Sequence, residues 1–343
     1  RPVTEPGHVA RGRDTITEDV MFQKFLAVLL FLAGAAAPAV AQEANWPAKP
    51  VRFIVPFPPG GSVDPLARLL GARLSNALGQ QFIVDNRSGG SGSIGTAMTA
   101  KSPPDGYTYV FVFDTHAVNP SLIPNLPYDT LKDLAPVMLI GTAPMAIVTN
   151  PAKPYNNFAD VIKAAKAKPA AISYGTVGSG SMGHLTMTLL EQAGGFKVVH
   201  VPYKGGGPMT VDAMGGQIDL GIASVAVLAT HVAGGKLRAI AVTGDKRSHA
   251  MPNVPALAEQ GFPKFSALAW WGVLGPAGIP QPLLNKFHAE LTKVLNQPDV
   301  RRQLSDQLGM DLVVGTPAGL QKFVTGEVEG SGKVVRENNI PAD

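Results

Sequence analysis

The stretch VRFIVPFPPGGSVDPLARLL, residues 51–70, contains the unit from which this fold is built. Its first residues are β-branched, aromatic and apolar, which is typical of a buried strand. The Pro-Pro-Gly-Gly run at 58–61 ends that strand, and leucines from Leu66 onward recur at helical spacing. Either Asp64 or Ser62 caps this helix. The stretch therefore predicts a strand, a glycine turn and a helix.

The same alternation continues through the rest of the chain. Further strands are predicted at residues 81–86, 107–114, 145–150, 171–177, 197–203, 217–224, 237–244 and 270–276. Further helices are predicted at residues 158–168, 184–193, 282–296, 298–308 and 316–339, with shorter ones after residue 95 and within 205–216. Strands that alternate with helices of this length favour an α/β fold whose parallel sheets are covered on both faces.

Two glycine-rich hexamers, GSGSIG at 90–95 and GSGSMG at 178–183, match the G-x-G-x-x-G pattern of a phosphate-binding turn. A dinucleotide site also needs an acidic residue after the next strand, about 20 residues further on. The second hexamer has Tyr203 and Lys204 at that place. The first hexamer has Asp114 there, but its helix is short. The nucleotide interpretation is therefore disfavoured.

Two other interpretations of the hexamers remain. The glycines either make tight turns only, or their backbone N–H groups at a helix N-terminus bind a small anion. The loops FPPGGSVD at 57–64 and YKGGGP at 203–208 have the same character. We favour an anion clamp in which loops from two domains hold a carboxylate from both sides. The serine hydroxyls that add donors are those of Ser91, Ser93, Ser179 and Ser181.

Composition limits the possible functions of the chain. Its 343 residues, of which 45% are hydrophobic, are enough for about two domains. The absence of cysteine excludes disulfides and thiolate chemistry. The net charge of +4 weakly favours anionic ligands, and no block of like charge indicates nucleic-acid binding. The histidines are scattered without metal-ligand spacing, so we expect no metal and no cofactor.

The N-terminus has the pattern of an export signal. Residues 21–41, from Met21 to Ala41, combine a short polar start, an apolar run and the cleavage-like sequence Ala-Val-Ala. Cleavage there would make Gln42 the first residue of the mature chain. Residues 1–20 have no pattern of a fold, and we interpret them as an upstream extension. The sequence therefore predicts an exported, periplasmic protein.

Several further strings together give a resemblance to a known family. They are VDNRSGGSGSIG, SPPDGYTYVF, THAVNPSL, LPYDTLKDLAPV, SYGTVGSGSMGHL, VHVPYKGGGP, GGQIDL and GPAGIP, beside the stretch at 51–70. In this order the chain resembles the Bug-type substrate-binding proteins, the extracytoplasmic receptors of tripartite tricarboxylate transporters. The resemblance extends from about Trp46 to about Asn339.

This resemblance implies a type II periplasmic-binding-protein fold, with two α/β domains joined by crossing strands and a ligand cleft between them. Domain 1 would be discontinuous, at residues 45–143 plus 268–343, and domain 2 would span 144–267. Such receptors bind small carboxylates through loop amides and hydroxyls. Matched motif by motif, the implied ligand-binding residues are Phe57, Gly60, Gly61, Ser62, Asp64, Asp114, Thr115, His116, Thr176, Ser179, Ser181, His184, Tyr203, Lys204 and Ser224.

The chain departs from the family pattern at several of these positions. Ala223 and Ser224 stand where many relatives have an Asp-Asn pair, which disfavours an amino-acid ligand with an ammonium group. Ser93 stands where Asn is common, and Asp114 where a small residue is common. Asp64 suits a direct contact with an anion poorly, so we expect it to hold its loop or a water. The Gly-Ser-Gly run at 330–332 predicts a weaker last helix.

The function that follows is a monomeric receptor that closes by a hinge on a di- or tricarboxylate or an aromatic acid and performs no chemistry. Its partners would be the permease subunits of the transporter. One alternative is a receptor that delivers its ligand to a sensor. Another is a hydrolase that uses Ser181 with His184, although no G-x-S-x-G motif and no third orienting group is evident.

Overall fold

The computed structural model describes residues 2–4, 45–263 and 265–340. The predicted signal peptide and most of the predicted upstream extension lie outside these residues. Residues Pro47–Asp343 form one unit, and Arg1–Trp46 group separately from it. None of the helices in the described part of the chain is both long enough and apolar enough to cross a membrane.

The described strands and helices alternate as the sequence predicts. The strands are β1 (Val51–Val55), β2 (Phe82–Asn86), β3 (Thr108–Val112), β4 (Leu134–Thr149), β5 (Ser173–Thr176), β6 (Val199–Pro202), β7 (Leu220–Ser224), β8 (Arg238–Val242), β9 (Leu268–Pro276) and β10 (Asp311–Leu312). The helices are α1 (Val63–Leu78), α2 (Ser93–Ala100), α3 (Thr115–Leu122), α4 (Phe158–Ala167), α5 (Met182–Gly194), α6 (Gly206–Met214), α7 (Val225–Ala233), α8 (Gln281–Leu295), α9 (Pro298–Arg302) and α10 (Pro317–Glu337).

The strands form a mixed sheet in the order β2-β1-β3-β9-β4-β7-β5-β6, with β8 and β10 paired to β4. Strand β1 is parallel to β2 and β3, and β5 is parallel to β6 and β7. Strands β4 and β9 run antiparallel to all their partners. The expectation of purely parallel sheets is therefore wrong, because these two strands cross the sheet against the direction of the others.

Strand β4 begins eleven residues earlier than the predicted strand at 145–150. From Leu134 to Pro144 it pairs with β9, and from Met145 to Thr149 it pairs with β7 and β8. Its register with β9 shifts twice, near Pro136 and Gly141. Proline and glycine are uncommon in a strand interior, so the sequence pattern does not predict the first part of β4.

Helices α3 and α7 are the main elements that the sequence pattern did not predict. Helix α3 has a proline, Pro120, inside it, and proline normally argues against a helix. The first five residues of α7, from Val225 to Ala229, are all buried, so the helix lacks the polar face that defines an amphipathic pattern. The predicted helix at 298–308 is an α-helix only to Arg302 and continues as a wider π-helical turn to Gln307.

Aromatic rings hold the first strands against helix α8. Phe53 of β1 lies 4.8 Å from the ring of Phe111 in β3, and Tyr109 lies 4.0 Å from the ring of Phe287 in α8. All four side chains are buried. Each buried ring of this size contributes about 1.5–3 kcal/mol relative to exposure. This packing joins β1 and β3 to α8.

Helix α10 runs without a break through the Gly-Ser-Gly run, and its two glycines have different surroundings. A β-carbon at Gly330 meets no atom within 4 Å, whereas one at Gly332 would lie 2.7 Å from Ser121 Oγ. We therefore expect Gly330→Ala to raise the free energy of unfolding by about 0.5–1 kcal/mol. Gly332→Ala should give no such gain, and urea unfolding of both variants checks this. Equal gains would contradict the close packing of α10 on α3.

Candidate functional site

The site is built where β1, β3, β5 and β7 end and the chain turns into α1, α3, α5 and α7. In α/β folds, ligands bind outside the carboxyl ends of the strands. Here the loops enclose a cavity of about 20 Å³, lined by Phe57, Gly61, Ser62, Val63, Phe113, Val177, Gly206, Ser224 and Val227. That volume holds about one water molecule. An organic ligand therefore enters only if the walls of the cavity move apart.

The carboxylate of Asp64 fixes the Pro-Pro-Gly-Gly loop. It accepts hydrogen bonds from Arg68 Nε at 3.0 Å and from Asn86 Nδ2 at 2.8 Å. The same amide of Asn86 donates to the carbonyl of Phe57 at 3.0 Å. Asp64 is buried, so its oxygens are occupied by neighbours of the loop. This arrangement accords with a loop-holding role for Asp64.

Three aromatic side chains form one wall beside the loop. The ring of Phe113 lies 6.0 Å from that of Phe57 and 5.4 Å from that of Trp271. The indole Nε1–H of Trp271 donates to Ser62 Oγ at 3.0 Å. Ser62 occupies the N-cap position of α1 but makes no capping bond with its side chain. Its hydroxyl instead fixes the indole.

Ser62→Ala would leave the indole N–H of Trp271 buried and unpaired. We expect a loss of about 1–3 kcal/mol in the free energy of unfolding, the cost of an unsatisfied buried donor. Trp271→Phe removes that donor, so adding Ser62→Ala to it should cost much less. A double-mutant cycle by urea unfolding measures the difference. Equal costs of Ser62→Ala in both backgrounds would mean that the hydrogen bond is not the cause.

The two glycine-rich hexamers contact each other. Ser91 Oγ donates to the carbonyl of Ser179 at 3.1 Å, and Asn119 Nδ2 donates to the carbonyl of Ser91 at 3.1 Å. A β-carbon at Gly178, whose φ is +142°, would lie 3.0 Å from Ser91 Oγ. Glycine is needed there for both conformation and space. The two hexamers therefore lie against each other in the fold.

The loop before α5 is supported by two stacked histidines. Gly180 N–H donates to His184 Nδ1 at 3.2 Å, and the rings of His184 and His200 stack 3.8 Å apart. His200 Nε2 lies 2.7 Å from Thr176 Oγ1. Burial, and then the neighbouring His184, lowers the pKa of His200 to about 3. The sequence favours a structural or ligand-orienting role for His200 over a metal-binding one, but its spacing from residue 184 follows no local pattern, so its stacking on His184 could not be predicted.

Ser181 and His184 do not form the hydrogen bond that a nucleophile and its base require. Ser181 Oγ is buried and has no hydrogen-bond partner within the described residues. His184 Nδ1 accepts from the backbone instead. The geometry therefore gives the hydrolase alternative no support.

Three other predicted residues, Thr115, His116 and Tyr203, do not line the cavity. Thr115 is buried at the start of α3, and His116 packs between Tyr128 and Trp270 with ring centroids at 6.3 and 6.4 Å. Burial lowers the pKa of His116 to about 3. Tyr203 donates its hydroxyl to Asp212 at 2.7 Å.

Few of the predicted residues line the cavity itself. Those that do are Phe57, Gly61, Ser62 and Ser224. Lys204 is exposed, and Gly60 lies in the exposed part of its loop. The lining residues that the sequence did not predict are Val63, Phe113, Val177, Gly206 and Val227. In the sequence these residues differ from others only in lying next to predicted positions. An apolar residue after a strand has the same sequence pattern whether it lines a cavity or packs in the core.

A larger groove of about 710 Å³ lies elsewhere, between α5, α10 and residues 265–267. Its walls are mostly apolar or uncharged, and Glu327 is the carboxylate among them. Met182, the fifth residue of the second hexamer, is among its lining residues, and the other lining residues lie outside the glycine loops. Among the described residues, no group of three or more His, Cys, Asp or Glu side chains is placed to hold a metal ion.

The fold is similar to that of solved periplasmic binding proteins. Residues 66–340 match the family model described as the tripartite tricarboxylate transporter family receptor, and the chain belongs to this family. It is 37% identical to Protein BugT of Bordetella pertussis over 314 residues, covering 91% of this chain and 95% of BugT.

Two solved structures are also similar to this chain. The periplasmic binding protein BugD has 30% identity and a TM-score of 0.82, covering 86% of this chain and 99% of that one. The protein Rpa4515 of R. palustris, solved with adipate, has 33% identity and a TM-score of 0.83, with the same coverage of both chains.

Proposed function

We propose that this chain is a periplasmic receptor that binds a small organic carboxylate and delivers it to the permease subunits of a tripartite tricarboxylate transporter. The observation that carries the proposal is a cavity lined by two glycine loops, at 57–64 and 203–208, with the two hexamers in contact with each other through Ser91 and Ser179. Their backbone N–H groups and hydroxyls suit a carboxylate, since helix N-termini favour anions. Membership of the receptor family and the adipate in Rpa4515 support the same ligand class.

The proposed mechanism is closure of two domains on the ligand. Domain 1 comprises residues 45–143 plus 268–343, and domain 2 comprises 144–267. The pairing of β4 supports this boundary, because its partner changes from β9 to β7 and β8 between Pro144 and Met145. A ligand that contacts both domains stabilises the closed state by its differential affinity. The receptor performs no chemistry in this mechanism, and we expect a monomer.

Export supports the same role. The pattern at residues 21–41 predicts removal of a signal peptide and release of the chain into the periplasm. In the periplasm the receptor binds its ligand before the ligand reaches the membrane. The permease subunits then bind the closed form of the receptor.

A thermal-shift screen tests the proposal. The chain is refolded from denaturant to remove bound ligand and is then mixed with di- and tricarboxylates, acidic amino acids, aromatic acids, neutral sugars, NAD and ATP. A ligand at about 100 times its Kd adds about 2.7 kcal/mol of stability. We expect a saturable rise in Tm with carboxylates only. A shift with sugars or nucleotides alone, or with none of the panel, would overturn the proposal.

A further inference from the structure

The hydroxyl of Ser62, on the wall of the small cavity, is held by an indole. Ser62 is buried and lines the cavity, and the Nε1–H of Trp271 donates to its Oγ at 3.0 Å. An indole N–H can only donate, so Ser62 Oγ is the acceptor in this bond. The hydroxyl proton therefore points away from the indole. Within residues 45–263 and 265–340 this hydroxyl donates to no other group, so its proton is available to a ligand in the cavity.

Trp271 is fixed in its turn by the sheet and by a second ring. It lies in β9, where it pairs with Gly141 of β4, and its ring centroid is 5.4 Å from that of Phe113. Trp271 is buried but does not line the cavity, so it can act on a ligand there only through Ser62. Both residues belong to the proposed domain 1, and opening of the cleft should leave their bond intact. The hydroxyl is thus oriented before the ligand arrives, which reduces the entropy lost on binding.

The opposite wall has a hydroxyl without such a partner. Ser224 lines the same cavity from the proposed domain 2, and its buried Oγ has no hydrogen-bond partner among the described residues. That hydroxyl can turn to donate or to accept, whereas the hydroxyl of Ser62 is held as a donor. An ionised carboxylate only accepts hydrogen bonds, while the nitrogen of a carboxamide only donates them. The fixed donor therefore favours a carboxylate over its amide.

We propose that Trp271 is a positioning residue for ligand selection, because its indole N–H orients the Ser62 hydroxyl to donate to the ligand carboxylate. The indole also polarises this hydroxyl, since hydrogen bonds in a chain strengthen one another. This role rests on the proposed function and gives its site a means of distinguishing acids from neutral amides.

A double-mutant cycle on ligand affinity tests the proposal. Isothermal titration calorimetry measures the binding of succinate, adipate, citrate and benzoate to the ligand-stripped wild type, Ser62→Ala, Trp271→Phe and the double variant. For the acid that binds most tightly, Trp271→Phe should weaken binding by about 3- to 10-fold and Ser62→Ala by about tenfold or more. The double variant should bind within about twofold of Ser62→Ala alone, because the indole acts only through that hydroxyl.

The amide of the same acid gives a second measurement. Trp271→Phe should weaken binding of the acid more than binding of its amide, because the released hydroxyl can turn to accept from the amide nitrogen. The preference for the acid should therefore fall by about threefold or more. If Trp271→Phe does not fold, a chain with 3-benzothienylalanine at position 271 removes the N–H and keeps both rings.

The neighbouring tryptophan provides a matched control. Trp270 is equally buried, and its Nε1 has no hydrogen-bond partner within the described part of the chain. Successive residues of a strand point to opposite faces of the sheet, and the ring of Trp270 lies 5.4 Å from that of Phe323 in α10. Trp270→Phe should therefore keep the wild-type preference for the acid. Circular dichroism confirms that each variant is folded.

Three results would overturn the role of Trp271 while leaving the proposed function intact. The first is a Trp271→Phe chain that binds the acid as tightly as the wild type does. The second is an equal loss for acid and amide, which would make the indole a packing residue only. The third is a Trp271→Phe effect of the same size with and without the Ser62 hydroxyl. If the folded wild type binds none of the four acids, the proposed function itself fails.

Discussion

Gly207→Ala is expected to weaken carboxylate binding by about 5- to 150-fold, which corresponds to about 1–3 kcal/mol of steric cost in the closed state. Gly207 lies in the first turn of α6. A β-carbon there would lie 2.7 Å from the carbonyl oxygen of Pro59 and 3.2 Å from Gly60 Cα. These are backbone atoms, so they cannot rotate away as a side chain would. The contact joins the proposed domains, so the cost applies only when the cleft closes.

Isothermal titration of the ligand-stripped variant measures this effect. Gly326→Ala is the matched control, because it lies in helix α10 and its β-carbon would meet no atom within 4 Å. It should bind as the wild type does. Without ligand, Gly207→Ala should keep the wild-type Tm, since opening of the cleft removes the clash. Unchanged affinity in Gly207→Ala would contradict closure at this contact.

The second large effect is on acid stability, and it comes from His116. Burial lowers its pKa to about 3 in the folded chain, against about 6.5 in an unfolded one. Between about pH 6.5 and pH 3 the His116 imidazole is protonated in the unfolded state but neutral in the folded state. The free energy of unfolding therefore has its full value above about pH 6.5 and decreases as the pH falls. The loss is about 1.4 kcal/mol per pH unit. His116→Phe removes this loss. At about pH 4.5 the variant should therefore gain about 2–3 kcal/mol in the free energy of unfolding relative to the wild type.

Urea unfolding at about pH 7 and at about pH 4.5 measures the difference. Groups other than His116 titrate in both proteins and cancel in the comparison. His249→Asn removes an imidazole from the exposed surface and should follow the wild type. If the free energies of unfolding of His116→Phe and the wild type change equally between about pH 7 and about pH 4.5, the buried imidazole is not the acid-sensitive group.

Much of the fold could be predicted because its signals are local. The stretch at 51–70 became a strand, a loop and helix α1, and the second hexamer became a loop leading into α5. Elements without a local signal were missed. Strand β4 has Pro136 and Pro144 inside it, and α7 lacks a polar face. Their structure comes from sheet pairing and burial, which override propensity.

The site could be predicted only in part, because its hydrogen bonds join distant parts of the chain. Ser62 meets Trp271 across 209 positions, and Asp114 meets Met182 across 68. Glycine loops indicate where backbone donors are available. Glycine loops do not indicate which side chains from distant parts of the chain lie beside those donors. The aromatic wall around Phe113 and the stacked His184–His200 pair therefore needed the structure.

A crystal structure of the chain with the carboxylate that gives the largest rise in Tm tests most directly whether the glycine loops bind the ligand. We expect the carboxylate oxygens to lie within about 3.2 Å of backbone N–H groups in the glycine loops, between β1–α1 on one side and α5 or α6 on the other. The apolar body should contact the wall formed by Phe57 and Phe113. A carboxylate bound instead in the groove between α5 and α10 would contradict binding by the glycine loops.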